Sequence, residues 1–286
     1  MFGACYFEEN MKINSINTAN YKTVLAPVSK GQAGEISLLR TSDIPNLPHS
    51  KNLFIFAHPD DETLFGVISS LIDRGESTQT VYATSGDQGQ DKRGLVSKGA
   101  QLAKVREDEL IEAAKQLKYN RSPLMLNLKD GDLSKPEVSD LLIRHITNII
   151  EKVKPEVVYT FGDDGITGHP DHITTGNITL RAVKAYNTSH PQAKIKLYQV
   201  AIDNDDARLL KNVMGIYTNA WDSLKPVSPD KVQKTYLTTG NTGRMLSAIA
   251  KYPTQFDENE KRGFSFFFRV APVNKYATPL QGGIYA

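Results

Sequence analysis

The sequence predicts an α/β fold of the Rossmann-like type, a mostly parallel sheet with helices on both faces. From about residue 51, short apolar runs alternate with longer stretches in which apolar residues recur at helical spacing. Strands that alternate with helices favour a parallel sheet covered on both sides. The 286 residues, 40% hydrophobic and 23% charged, are typical of a globular protein with a sizeable core.

Five apolar runs are predicted as strands: Asn52–Ala57, Thr80–Thr84, Leu124–Leu128, Glu156–Phe161 and Ile195–Val200. Four helices are predicted between them: Thr63–Arg74, Leu102–Leu117, Lys135–Val153 and His172–Tyr186. Right-handed crossovers place all strand-to-helix loops at one edge of such a sheet. Ligands of open α/β folds bind beyond the carboxyl ends of the strands. The loops after the first four strands are therefore expected to hold the functional residues.

The two ends of the chain are less regular. Residues 1–50 are predicted as a lead-in that packs on the main domain, with a strand near Gly34–Leu39. Residues 51–286 are predicted as a single domain, in which Thr242–Tyr252 forms a helix and Gly263–Val270 a late strand.

Composition and charge exclude several classes of protein. The net charge of +2 and the pI near 8.4 give no case for a nucleic-acid partner. The single cysteine, Cys5, allows neither an intramolecular disulfide nor a cysteine zinc cluster. No apolar run reaches the roughly 18 residues of a membrane span. The expected location is the cytoplasm. Phe2–Cys5 faintly resembles a lipoprotein signal, which leaves association with the cell envelope open. The oligomeric state is also left open.

The loop after the first strand places His58 beside three carboxylates, those of Asp60, Asp61 and Glu62. The acids could simply complement the positive end of a helix. That interpretation explains one acid better than three, because adjacent like charges repel unless a cation or bound protons compensate. A divalent metal would compensate, and a histidine with a carboxylate is a sound pair of zinc ligands.

The loop after the fourth strand adds His169, Asp171 and His172. A lone His-x-x-His is a weak signal, because surface or core histidines explain it more often. Here it opens a helix at the same sheet edge as the first loop, so both histidines can face one pocket. The two loops together offer a two-histidine, one-carboxylate metal site with catalytic groups left over.

The loop after the second strand, Ser85–Asp91, is glycine-rich and polar but lacks the dinucleotide-binding fingerprint. It is either a surface turn or a substrate loop. As substrate-binding residues we select Asp87 in this loop, with Arg106 and Glu109 on the following helix.

Two motifs then point to a family. Ala-His-Pro-Asp-Asp-Glu at 57–62 and Gly-His-Pro-Asp-His at 168–172 resemble, in full and in order, the LmbE/PIG-L family of N-acetylglucosaminyl deacetylases. Arg106–Leu110 is similar to the family's Arg-x-x-Glu-Leu helix, and Tyr252–Phe256 resembles a late Tyr-x-Ser/Thr-Gln segment.

The resemblance implies a zinc-dependent removal of acetyl from an amino sugar or glycoconjugate, with another divalent metal left open. It implies three ligands: His58, Asp61 and His172. Asp60 would be the general base, and His169 would stabilise the oxyanion or act as general acid. Asp171 would orient a histidine from behind the ligands, and Glu62 would be structural. Thr167 stands where some bacterial members have tyrosine, which puts a tyrosine contribution in doubt.

Three alternatives stay open. The resemblance also covers hydratases of small unsaturated keto acids. Two histidines and a carboxylate suit ferrous oxygenases as well, but those sites usually occupy β-barrels. A non-catalytic carbohydrate-binding protein is the third, and it would need neither Asp60 nor His169.

Overall fold

The computed structural model describes residues 35–216, 224–226, 232–237, 239–270 and 273–277. The described strands are β1 (Asn52–Phe56), β2 (Thr78–Thr84), β3 (Leu124–Leu128), β4 (Val157–Phe161), β5 (Lys196–Ala201), β6 (Val232–Leu237) and β7 (Val273–Ala277). The described α-helices are α1 (Val67–Asp73), α2 (Ala100–Gln116), α3 (Pro136–Val153), α4 (Pro170–Ser189), α5 (Asn204–Gly215), α6 (Thr242–Ile249) and α7 (Glu258–Val270).

The strands form one sheet in the order β3-β2-β1-β4-β5-β7-β6. The first five in that order are parallel, whereas β7 runs antiparallel to both β5 and β6. The predicted fold class and all five predicted parallel strands are confirmed. Because β1 pairs with both β2 and β4, the strand order reverses at β1 and β4. A crevice opens at such a switch point, and it lies between the two motif loops.

The centre of the sheet is fully buried, as expected of strands covered on both faces. All five residues of β1 are buried, and Phe54 stacks on Tyr159 of β4 with ring centroids 4.4 Å apart. Phe65, just after the first motif, meets Phe56 edge-on at 4.9 Å. The first motif loop is therefore held at both ends by packed aromatic rings.

The predicted strand at Gly263–Val270 is wrong, because this segment is the second half of α7. Phe264, Phe267 and Phe268 are buried, whereas Phe266 is 52% exposed. That spacing places the buried rings on one side of a helix. A run of aromatic residues suits a strand by propensity, but packing against the core decides the outcome.

Three other predicted elements differ from the structure in their extent or type. The first predicted helix is interrupted: a 3₁₀ turn covers Asp61–Leu64, and α1 starts only at Val67. The predicted helix at Thr242–Tyr252 is confirmed as α6, which ends at Ile249. The predicted strand near Gly34–Leu39 is wrong over its described part, where Leu39 forms only an isolated bridge to Leu124.

The described residues lie in one compact unit, Gln32–Ala286. Residues 1–34 and Cys5 lie outside the described residues, and the domain boundary at residue 50 stays a prediction. Within the described ranges, no helix combines the length and apolar character needed to cross a bilayer.

Candidate metal and catalytic site

A cavity of about 410 Å³ opens beyond the carboxyl ends of β1 and β4. It is lined by His58, Asp60, Asp61, Thr63, Gln88, Gly89, Arg106, Asp130, Gly131, Thr167, His169, His172, Gln255 and Phe256. Both predicted motif loops therefore meet at one cavity, as the crossover rule requires.

Three buried side chains converge at its base. His58 Nδ1 lies 3.2 Å from His172 Nε2, which lies 3.1 Å from Asp61 Oδ1. Asp61 Oδ2 is 3.7 Å from His58 Nδ1 and also accepts the backbone N–H of His58 at 2.7 Å. The structure thus brings together the three residues that the resemblance names as metal ligands.

The other nitrogen of each histidine faces an acceptor. His58 Nε2 lies 3.1 Å from Asp130 Oδ1 and 3.3 Å from Asp171 Oδ2, and His172 Nδ1 lies 3.1 Å from the carbonyl of Gly165. These partners place hydrogens on His58 Nε2 and His172 Nδ1. When both histidines are neutral, their remaining lone pairs and a carboxylate oxygen of Asp61 face one another, an arrangement that a bound cation stabilises.

Geometry also permits other groupings of ligand atoms. Within 4.8 Å of one another lie the ring nitrogens of His58, His169 and His172, and likewise ligand atoms of His58, Asp130 and Asp171. A buried group of histidines and aspartates that could hold a metal is therefore present.

Asp60 sits on the cavity wall with an unusual backbone, φ 100° and ψ −25°. A left-handed conformation costs a non-glycine residue about 1–3 kcal/mol and persists only when its surroundings hold it. The Asp60 N–H donates to Glu62 Oε2 at 3.1 Å. Burial raises the pKa of the Asp60 carboxyl well above its usual range, and the charge of Asp61 adds to this while Arg106 opposes it.

His169 caps α4, with Nδ1 accepting the backbone N–H of Asp171 at 3.2 Å. Its ring centroid lies 4.9 Å from that of His58 and 5.0 Å from that of His172. Burial lowers the pKa of His169, and the charges of His58 and His172 lower it further. A neutral His169 with Nδ1 as acceptor carries its hydrogen on Nε2 and can donate from there.

The pKa values of His58, Asp61 and Asp130 depend on how these charged groups pair. Burial opposes the charged form of His58, but hydrogen bonds to Asp130 and Asp171 and the charge of Asp61 raise its pKa to about 10. Burial likewise opposes ionisation of Asp61 and Asp130. The charge of His172 nevertheless lowers the pKa of Asp61, and the hydrogen bond to His58 lowers that of Asp130 to about 2. Three carboxylates therefore surround His58 and hold a positive charge there, in the place that a bound cation would take.

The predicted substrate-binding residues separate in space. Arg106 lines the cavity, and its Nη1 donates to the carbonyl of Gly86 at 2.7 Å. A Cβ at Gly86 or Gly89 would meet this guanidinium at 2.5 or 2.6 Å, so the glycines of this loop make room for it. Asp87 and Glu109 are not among the described lining residues. Glu109 instead accepts the backbone N–H and hydroxyl of Thr254, at 3.0 and 2.5 Å.

Sequence reasoning missed Asp130 and Gln255. Asp130 comes two residues after β3, at the sheet edge where functional loops were expected, so its position was a usable signal. Gln255 reaches the cavity from a turn far along the chain, with its Nε2 2.6 Å from the carbonyl of Pro59. No local pattern places it there, although it belongs to the Tyr-x-Ser/Thr-Gln resemblance.

Both loops that form this site fall within a match to a known protein family. Residues 53–183 match the family model described as "PIG-L: GlcNAc-PI de-N-acetylase". A probable N-acetylglucosaminyl-phosphatidylinositol de-N-acetylase of Schizosaccharomyces pombe is 32% identical over 138 residues, 46% of this chain and 52% of that protein. The chain thus spans about half the length of that relative. A 1D-myo-inositol 2-acetamido-2-deoxy-α-D-glucopyranoside deacetylase of Nakamurella multipartita is 25% identical over 84% of this chain and 91% of its own.

Solved structures share the fold. N,N'-diacetylchitobiose deacetylase from Pyrococcus horikoshii has a TM-score of 0.53 at 23% identity, covering 78% of this chain and 77% of its own. The 4-carboxy-2-hydroxymuconate hydratase GalB from Pseudomonas putida has a TM-score of 0.57 at 15% identity, covering 82% and 98%.

The matched region contains β1 to β4, most of α4 and both motif loops with all the converging histidines. Residues 53–183 of this chain are therefore similar to the PIG-L family.

Proposed function

We propose that this chain is a zinc-dependent hydrolase that removes the N-acetyl group from an N-acetylglucosamine-type amino sugar or its conjugate. The convergence of His58 Nδ1, Asp61 Oδ1 and His172 Nε2 at the base of the cavity carries the proposal. The named activities of the two curated relatives favour deacetylation of a glucosamine conjugate.

His58, Asp61 and His172 would hold the metal. They are preferred over the grouping with Asp130 and Asp171, because those two carboxylates face Nε2 of His58, whereas His172 faces Nδ1 on the other side of the ring. Asp171 accepts the N–H of Gly131 at 2.8 Å as well as facing His58 Nε2, which suits a group that orients a ligand. Bound there, zinc would polarise the amide carbonyl and lower the pKa of the attacking water towards about 7.

The side chains around the metal site supply proton transfer and charge stabilisation. Asp60 takes a proton from the attacking water, and the raised pKa of its carboxyl makes it a stronger base than an ordinary aspartate. His169 donates its Nε2 hydrogen to the oxyanion that forms as the amide carbonyl is attacked, a contact whose loss costs roughly 10²–10³ in rate. The proton then passes to the departing amine, which leaves a free amino sugar and acetate.

Arg106 would bind sugar hydroxyls from the cavity wall. Glu109 would support that wall through its bonds to Thr254. Asp87 would contact the substrate from the adjoining loop.

The fold is shared with a hydratase, so fold alone does not choose the reaction. Acetate release from N-acetylglucosamine, its inositol glycoside and its phosphatidylinositol conjugate would decide it. Metal-stripped protein is assayed with and without zinc, beside Asp60→Ala and a control, Asp163→Ala, at an exposed position in the second motif loop.

Zinc-dependent release that is lost in Asp60→Ala and kept in Asp163→Ala would support the proposal. No release from any amide at full metal occupancy would refute it for these substrates. Turnover of an unsaturated keto acid would then favour the hydratase, and unaltered sugar binding by Asp60→Asn without any turnover would favour a binding protein.

A further inference from the structure

The turn at residues 252–256 lies beside the proposed catalytic residues and takes no part in the chemical steps proposed above. Thr254 binds Glu109 of α2, and its carbonyl accepts the N–H of Lys92 at 2.9 Å. Backbone bonds from Gln255 and Phe256 to the carbonyl of Tyr252, at 3.0 and 2.9 Å, close the turn. The turn is therefore a compact unit anchored to two elements beside the cavity.

Two side chains of this turn reach the first motif loop on either side of Asp60. The Tyr252 hydroxyl donates to Glu62 Oε1, and Gln255 Nε2 donates to the carbonyl of Pro59 at 2.6 Å. Tyr252 and Glu62 are 0% and 1% exposed, so water does not compete for the bond between them.

Glu62 links the Tyr252 hydroxyl to the backbone of Asp60. Its Oε2 accepts the Asp60 N–H at 3.1 Å and the Tyr82 hydroxyl at 3.2 Å, while Oε1 is held by Tyr252. Both oxygens of a buried carboxylate are thus occupied, and its orientation is fixed. The backbone of Asp60 is at φ 100°, which needs such support because the conformation is unfavourable for aspartate.

We propose that Glu62, Tyr252 and Gln255 are positioning residues that clamp residues 59–62 and so aim the Asp60 carboxylate into the cavity; this rests on the proposed function. Without the clamp, Asp60 relaxes towards ordinary backbone angles and its carboxylate moves away from the attacking water. A displacement of about 1 Å in such a group can cost roughly 10²-fold in rate. The clamp therefore acts on turnover and not on metal binding, because Asp61 is held separately by the backbone N–H groups of Ala57 and His58.

The test compares full-length variants loaded with zinc. Tyr252→Phe removes one hydroxyl and is expected to lower kcat roughly 10- to 100-fold, with KM and zinc content unchanged. Tyr119→Phe is the matched control. Tyr119 is also buried, 3% exposed, but its hydroxyl bonds to Tyr82 and makes no direct bond to Glu62, and Tyr82 keeps its own bond to Glu62 in this variant.

A second pair of variants separates positioning from packing. Glu62→Gln keeps an oxygen that can accept the Asp60 N–H and should retain most of kcat. Glu62→Met has similar length but no such acceptor, and should fall as far as Tyr252→Phe. Equal kcat in all variants would overturn the proposal. So would an equal loss in Tyr119→Phe, or a loss in Tyr252→Phe that excess zinc restores.

Amide hydrogen exchange tests the positioning role without any substrate. Exchange in the peptide covering residues 58–63 should be faster in Tyr252→Phe than in wild type and Tyr119→Phe, with the melting temperature of all three compared. If the wild type releases no acetate, the proposed function fails, yet faster exchange still supports the clamp and unchanged exchange overturns it.

Discussion

Gly176 allows α4 to approach the end of β4, and replacing it with alanine should separate the two. A Cβ at this position would lie 2.5 Å from the carbonyl oxygen of Phe161, 3.1 Å from its carbonyl carbon and 3.2 Å from the oxygen of Gly162. These are backbone atoms of the β4 end, so no side chain can rotate away. Ordinary contact begins at 3.4 Å, so the helix must retreat by about 0.9 Å.

The retreat has a cost in stability and in metal binding. Overpacking costs about 1–3 kcal/mol, here towards the upper end because the neighbour is backbone, and alanine in a helix recovers up to about 1 kcal/mol. A net loss of about 2 kcal/mol lowers the melting temperature by roughly 4–8 °C.

His172 lies one turn earlier on α4 and stacks on Phe161 at 4.2 Å, so its Nε2 moves with the helix. Functional groups need placement within about 0.5 Å, and zinc affinity should fall roughly 10- to 100-fold.

Thermal unfolding of the metal-stripped protein and zinc titration of the folded protein measure the two effects. Gly243→Ala is the control, because Gly243 lies in α6 with nothing within 4 Å of a new Cβ. It should unfold at or slightly above the wild-type temperature. A Gly176→Ala protein with wild-type melting temperature and zinc affinity would show that α4 has room to spare, and the reasoning would be wrong.

Three further outcomes are expected. Zinc at 100 times its Kd should stabilise the stripped protein by about 2.7 kcal/mol; a His172→Ala protein that responds equally in the melting assay would argue against this ligand. Burial opposes ionisation of Asp91, but hydrogen bonds from Arg93 and backbone N–H groups lower its pKa to about 2. Since that pKa is depressed below the unfolded value near 4, the stabilisation is present above pH ~4 and lost towards pH ~2. The melting-temperature gap between wild type and Asp91→Asn should therefore narrow over that range, and a constant gap would contradict the pairing. Phe264→Ala should cost about 3–5 kcal/mol in denaturant unfolding and Phe266→Ala under about 0.5 kcal/mol, because only Phe264 is buried; equal costs would contradict a helical α7.

The sequence predicted the parallel sheet and the place of the site because both depend on local patterns. Each of β1 to β5 is a short apolar run, and crossover handedness then brings the loops at 57–62 and 168–172 to one edge. The predicted ligands His58, Asp61 and His172 converge for that reason.

Tertiary structure decided which groups support those residues. Asp130 faces His58, and Tyr252 meets Glu62 across 190 positions of chain. Such contacts carry no local periodicity, so they emerge only when distant segments pack. The same holds for Glu109, whose carboxylate turned to Thr254 and not to the cavity. It holds for α7 as well, where aromatic propensity favoured a strand and burial on one face produced a helix.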